Sequence, residues 1–174
     1  MGKISIRKLK DIDSDYKYLT EWYKEEPIYR VFEQRILSYE EIKKKYYPRT
    51  LRNAKVPVYM IEYDKEPVGI IQYTLIGNED KELYKLKEDK IYEMDIFIGN
   101  LNLHHKGIGT RAINILVNKL FKEKNADLVV MCPLKTNEKA INCYKKCGFT
   151  IKGGFDTQDT IGDIQSYVLM VKDN

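Results

Sequence analysis

The sequence predicts an α+β fold, a mixed and mostly antiparallel sheet with one parallel strand pair, flanked by helices. Three observations carry that prediction. Runs of β-rich residues at 3–9, 56–63 and 67–76 precede the middle of the chain. From residue 107 the apolar period changes, with Ile108, Ala112, Ile115, Leu116, Val117 and Leu120 recurring at helical spacing. That helix lies between strand-like runs at 91–98 and 127–132, so the two strands belong to a β-α-β unit and run parallel through a right-handed crossover.

Each element follows from its residues. KISIRKL at 3–9 alternates like a first strand, and 13–24 reads as an amphipathic helix opened by an Asp or Ser cap. Between 25 and 50, Pro27 and Pro48 frame a short helix at 38–46 within helix and loop. VPVYMIEY at 56–63 and PVGIIQYTLI at 67–76 form a hairpin around Asp64-Lys65-Glu66. A charged stretch at 77–90 leads into the strand IYEMDIFI at 91–98, the helix at 107–123 and the strand at 127–132. A helix at 137–147 stops at Gly148, which suits a left-handed C-cap. Strands at 149–155 and 164–171 complete the order β-α-α-β-β-β-α-β-α-β-β. No repeat or Gly/Ser/Pro-rich linker interrupts it, so residues 1–174 are expected to form one domain.

Composition narrows the function classes. Of the 174 residues 43% are hydrophobic and 32% charged, the balance of an ordinary soluble protein with a real core. The net charge of +4 is too small and dispersed to indicate nucleic acid. The first residues alternate rather than form a signal-peptide core, and no run approaches a membrane span, so a cytoplasmic protein without a membrane partner is expected. Cys132, Cys143 and Cys147 form no CxxC pair, and His104 with His105 lacks further ligands, so no metal is expected. The chain is expected to act as a monomer or homodimer.

Two segments carry candidate chemistry. The loop His104, His105, Lys106, Gly107, Ile108, Gly109, Thr110 follows a strand and opens the long helix. Glycines allow close backbone approach, and a helix N-terminus attracts phosphate, so the loop is either a pyrophosphate cradle or an ordinary turn. On the helix at 137–147, Asn137, Ala140, Ile141 and Tyr144 share one arc. They read either as a ligand-facing pair or as an Asn cap with a packed tyrosine.

Taken together, the glycine loop and TNEKAINCYKKCGF resemble the GNAT acetyltransferase signature, whose second half reads N-x-x-A-x-x-x-Y-x-x-x-G-F. Here that is Asn137, Ala140, Tyr144, Gly148 and Phe149. His104 departs from the Gln or Arg usual three residues before the first glycine. The resemblance implies a single GNAT domain with a central splayed parallel pair and acetyl-CoA as cosubstrate. It implies that the backbone of Ile96, Phe97 and Ile98 pairs with the pantetheine arm and that the loop from His104 to Thr110 takes the pyrophosphate. Asn137 would bond near the pantetheine, and Tyr144 would protonate the departing thiolate.

Alternation along 91–98 puts Tyr92, Met94, Ile96 and Ile98 on one face and Ile91, Glu93, Asp95 and Phe97 on the other. Glu93 and Asp95 thus face either an acceptor or plain solvent. MDIFIG and KGIGTR are similar to segments of aminoglycoside 6′-N-acetyltransferases. That likeness implies that Asp95 positions or deprotonates a substrate amine, and that the acceptor is a small cationic amine such as an aminoglycoside. The stretch from Glu79 to Asp95, including Asp80, holds seven acids against four lysines and would attract such a cation. An ordinary carboxylate is a poor base for an ammonium, whereas burial would raise its affinity for protons. Acetylation of a protein N-terminus or a polyamine, and a non-catalytic acetyl-CoA-binding module, are the alternatives.

Overall fold

The computed structural model describes residues 2–159 and 161–174. In chain order its elements are β1 (Ile4–Lys8), α1 (Asp13–Trp22), α2 (Glu26–Phe32), α3 (Tyr39–Thr50), β2 (Val58–Tyr63), β3 (Glu66–Leu75) and α4 (Asn78–Tyr84). There follow β4 (Ile91–Ile98), α5 (Ile108–Lys124), β5 (Leu128–Met131), α6 (Glu138–Lys146), β6 (Thr150–Gln158) and β7 (Ile164–Asp173). The strands form one seven-stranded sheet in the order β1-β2-β3-β4-β5-β7-β6. The β1–β2, β2–β3, β5–β7 and β6–β7 ladders are antiparallel, and β4–β5 is parallel as the β-α-β pattern requires. That parallel ladder runs from Ile91↔Leu128 to Glu93↔Val130, while β4 itself continues to Ile98.

Two helices are additional to the sequence expectation. Pro27 sits in the first turn of α2, where a missing N–H is harmless, so it opens a helix instead of preventing one. α4 occupies the charged stretch, where Asp80 accepts from the Gly77 N–H at its start. α3 begins where expected, with the Ser38 Oγ accepting from the Glu41 N–H and Glu41 accepting from the Ser38 N–H, but it runs on through Pro48 to Thr50. The hairpin turn is shorter than expected: Asp64 and Lys65 both take positive φ, 52° and 74°, and Glu66 already belongs to β3.

The chain packs as two units. One comprises the residues up to Gln72 together with Ile96–Ala112. Its core gathers Tyr16, Leu19, Trp22 and Tyr23 of α1 and its end, Ile42 and Tyr46 of α3, and Phe97 of β4. Beside that core Arg7 grips Asp15 with two hydrogen bonds of 2.7 Å and donates from Nε to Glu62 at 2.8 Å. Asp15 is 1% exposed, and the Lys10 N–H also donates to it at 2.9 Å, so its charge is fully met.

The other unit comprises Tyr73–Asp95 and Ile113–Asn174. Ile76, Tyr84, Leu86, Ile91, Leu128, Val130 and Leu169 form its core, with Cys132 and Phe155 packed against them. Ile115 corrects the helix reading, being 36% exposed while Ile113 is buried. The buried arc of α5 centres near Leu116, and one residue is about 100° of rotation, which carries Ile115 to its edge. Gly148 takes φ 85° after α6, as a left-handed C-cap should.

Candidate active site

β4 sets out the central carboxylates. Ile91, Tyr92, Met94 and Phe97 are buried, Glu93 is partly buried and Asp95 is exposed, so both faces of the strand bury apolar side chains and burial does not alternate residue by residue. Ile91 and Glu93 share their face with Tyr84, whose hydroxyl donates to Glu93 Oε2 at 3.1 Å. Tyr84 is fixed by its ring, 4.9 Å from Phe155, which itself stacks on Tyr167 at 5.4 Å. The Cys132 thiol, just beyond β5, lies in the same buried surroundings, and its neighbours Glu93 and Tyr84 bear on its titration. Burial pushes Glu93 up to about 7, and the neighbouring Asp95 charge adds to this, while Tyr84 and Cys132 act in the opposite direction. Burial also raises Tyr84 and Cys132 far above their ordinary values, so both remain protonated at neutral pH.

α6 brings a second set into the same unit. Tyr144 is 9% exposed, and burial raises its phenol, with the charges of Cys143 and Asp95 adding to the effect. A phenol held protonated is a competent proton donor. Asn137 is the N-cap of α6, its Oδ1 accepting from the Ala140 N–H at 3.1 Å. The cap reading therefore holds for that oxygen, and a ligand would meet the amide N–H groups. Glu79 is exposed in the first turn of α4, whereas the charge of Asp80 is felt at Glu93. Asp95, Glu93, Asp80 and Tyr144 thus form one electrostatic neighbourhood.

The loop from His104 to Thr110 belongs to the other unit. His104, His105, Lys106 and Gly107 are exposed, Ile108 is buried as the anchor of α5, and Gly109 and Thr110 are partly buried. His105 and Gly107 take φ of 62° and 73°, reversing the chain so that it enters α5. The Arg111 N–H closes the first helical turn onto Gly107 O, and first-turn N–H groups lie outside a helix's own ladder. An exposed lysine beside such a helix start fits a pyrophosphate. His104 Nε2 donates to Ile98 O at 2.9 Å, tying the loop to the end of β4. Around Ile96, Phe97 and Ile98 the backbone lies close to β3, because a Cβ on Gly69 would stand 2.2 Å from Phe97 O.

Sequence reasoning passed over Tyr84 and Cys132. Cys132 was legible, since alternation from Leu128 through Val130 carries it to the face on which Val130 is paired with Glu93. Tyr84 was not, because its position depends on a seven-residue helix without a clear apolar period.

An acetyltransferase (GNAT) domain model matches residues 11–157. The aminoglycoside N(6′)-acetyltransferase type 1 of Klebsiella pneumoniae is 28% identical over 120 residues, 68% of this chain and 60% of that relative. The chain thus aligns with less than two-thirds of that protein's length. Aminoglycoside acetyltransferase AAC(6′)-Ib, solved with coenzyme A and kanamycin, superposes with a TM-score of 0.80 at 23% identity, over 99% of this chain and 95% of the other. Spermidine N-acetyltransferase from Vibrio cholerae, solved with CoA and spermine, gives 0.77 at 21% identity, over 98% and 95%. Those structural likenesses establish the shared fold, and with the domain match over most of its length this chain belongs to the GNAT acetyltransferase family.

Proposed function

We propose that this chain, working as one domain, transfers an acetyl group from acetyl-CoA to a primary amine of a small polycationic acceptor. The 6′-amino group of an aminoglycoside is the specific reading. The observation that carries it is the pairing, within one unit, of carboxylates on β4 with a buried, protonated Tyr144 on α6. Transfer from a thioester to an amine needs a cationic nitrogen held and deprotonated, and a thiolate that receives a proton. Asp95, with Glu93 and Asp80 nearby, supplies the negative surroundings that an ammonium group seeks, and Glu79 extends them. Tyr144 gives the proton to sulfur. The loop from His104 to Thr110 takes the pyrophosphate, Ile96, Phe97 and Ile98 offer backbone to the pantetheine arm, and Asn137 offers its amide N–H groups. The curated relative's name and the kanamycin-bound neighbour support the aminoglycoside acceptor. The spermine-bound neighbour makes polyamines the second class to test.

The test is free-thiol release from acetyl-CoA with purified protein and a panel of 6′-amino aminoglycosides, polyamines and peptides. Turnover of the aminoglycosides, with the product acetylated at the 6′ nitrogen by NMR, is expected. Turnover of polyamines or peptides alone would replace the acceptor, and no turnover at all would leave no enzyme to explain.

A further inference from the structure

The acetyl-transfer reading leaves open which carboxylate takes the ammonium proton, and the surroundings of the two β4 acids differ sharply. Asp95 is exposed. Glu93, two residues back on the same face, is enclosed by the Tyr84 ring, the Cys132 thiol and the pairing of its strand with Val130 of β5. Its Oε2 accepts the Tyr84 hydroxyl at 3.1 Å, and Tyr84 is itself wedged against Phe155. This carboxylate is therefore held in one orientation.

We propose that Tyr84 is a positioning residue, a clamp that aims the Glu93 carboxylate, and that Glu93 accepts the ammonium proton while Asp95 binds the ammonium charge. The proposal rests on the acetyl-transfer reading and assigns the proton within it. Glu93 takes one proton from the ammonium, leaving a neutral amine. Its nitrogen forms a C–N bond to the thioester carbonyl carbon, and the C–S bond breaks. Sulfur takes the Tyr144 hydroxyl proton, and the second nitrogen proton returns to Tyr144. The remaining proton, on Glu93, passes to solvent, so an ammonium and a thioester yield an amide, a thiol and one proton.

The groups around Glu93 favour this assignment. Asp80 and Tyr84 face it from α4, Asp95 from its own strand and Cys132 from the end of β5. Asp95 charge also reaches Tyr144 of α6, and Tyr167 of β7 senses Cys132. Tyr84, Cys132 and Tyr144 are all held in their protonated forms, and burial pushes Glu93 up to about 7. General-base catalysis is most efficient when the base titrates near the working pH.

The test combines a substrate-free titration with kinetics. In protein carrying 13C-labelled glutamate carboxyls, with Glu93→Gln assigning the resonance, Glu93 should titrate near 7. It should titrate at higher pH in Tyr84→Phe, which removes the donor. Titration in the ordinary glutamate range, or no movement in that variant, would overturn the clamp. With an accepted amine, the acidic limb of the kcat/KM profile should follow the titration. Glu93→Gln should abolish that limb and lower kcat by about a hundredfold or more, with little change in KM for acetyl-CoA. Asp95→Asn should raise KM for the acceptor and keep the limb. A limb that survives Glu93→Gln, or vanishes with Asp95→Asn, would overturn the base assignment. Absence of turnover with every amine would sink the acetyl-transfer reading and the base role with it, and the titration, which needs no substrate, separates that failure from failure of the clamp.

Discussion

Glutamine in place of Glu93 should make the protein more stable in alkali than in acid, relative to the parent. The folded chain holds the Glu93 proton up to about pH 7, against 4.5 for an ordinary glutamate, because its surroundings are buried and Asp95 is near. A carboxyl raised on folding contributes stability that is complete below its unfolded value and lost as the pH rises through its folded value. At about 1.4 kcal/mol for each tenfold change in proton affinity, the loss approaches about 3 kcal/mol once the pH exceeds 8. At pH 5 most of this loss has yet to develop. Glutamine carries no charge and still offers an oxygen to the Tyr84 hydroxyl, so it escapes the loss and keeps the hydrogen bond. Urea unfolding followed by far-UV circular dichroism at pH 5 and pH 8.5 should show the variant gaining about 2 to 3 kcal/mol more at the higher pH. The single tryptophan, Trp22, lies in the other unit, so its fluorescence gives a second transition that must coincide with the first for one free energy to describe both. A variant that gains the same amount at both pH values would show that Glu93 bears its charge in the folded state without penalty, refuting both the burial argument and the basis for its proton affinity.

Three other substitutions test separate parts. Tyr144→Phe should lower kcat about 10- to 100-fold while the dissociation constant for acetyl-CoA, measured by calorimetry, stays unchanged, since only the proton donor is removed. Gly69→Ala should destabilise the chain by about 1 to 3 kcal/mol and weaken acetyl-CoA binding, because its Cβ would meet Phe97 O at 2.2 Å and displace the β4 backbone assigned to the pantetheine; unchanged calorimetric binding would remove that backbone from the site. Asp15→Ala should lower unfolding free energy by about 3 kcal/mol in urea titrations by leaving Arg7 without its bidentate partner, with Glu62 compensating only in part.

Much of the fold was legible because the patterns that specify it are local. The β4 run IYEMDIFI is rich in β-forming residues and alternates from Tyr92 to Ile96, and its bounds at Ile91 and Ile98 fall where the residues place them. The order strand, glycine loop, long helix, strand followed from a change of period that no nearby element could disguise. The helices that escaped notice are short and polar. α2 starts at a proline that can equally signal a loop, and α4 lies within a run of acids and lysines whose spacing has no single apolar face. Within the site, Asp95 and Glu93 fall on one face in the sequence, and the resemblance gives the amine to Asp95. What sets Glu93 apart comes from Tyr84, nine positions before it, and from Cys132, just beyond the parallel partner strand.

If Asp95 binds the ammonium and Glu93 takes its proton, as proposed, the contrast between them gives a reason for two acids. A carboxylate that binds an ammonium well must stay charged, and one that removes its proton must have a comparable appetite for it; a single group cannot excel at both at one pH. Exposure serves the first requirement at Asp95. Burial would serve the second at Glu93, whose proton affinity the Asp95 charge raises further. An approaching ammonium would first offset the Asp95 charge and thereby ease ionisation of Glu93 just as the substrate arrives. The proton affinity of Glu93 is thus expected to fall when a cationic amine binds and to recover when the neutral amide forms. That change would promote base formation before transfer, and it would be smaller in Asp95→Asn, where only the direct attraction between ammonium and Glu93 remains.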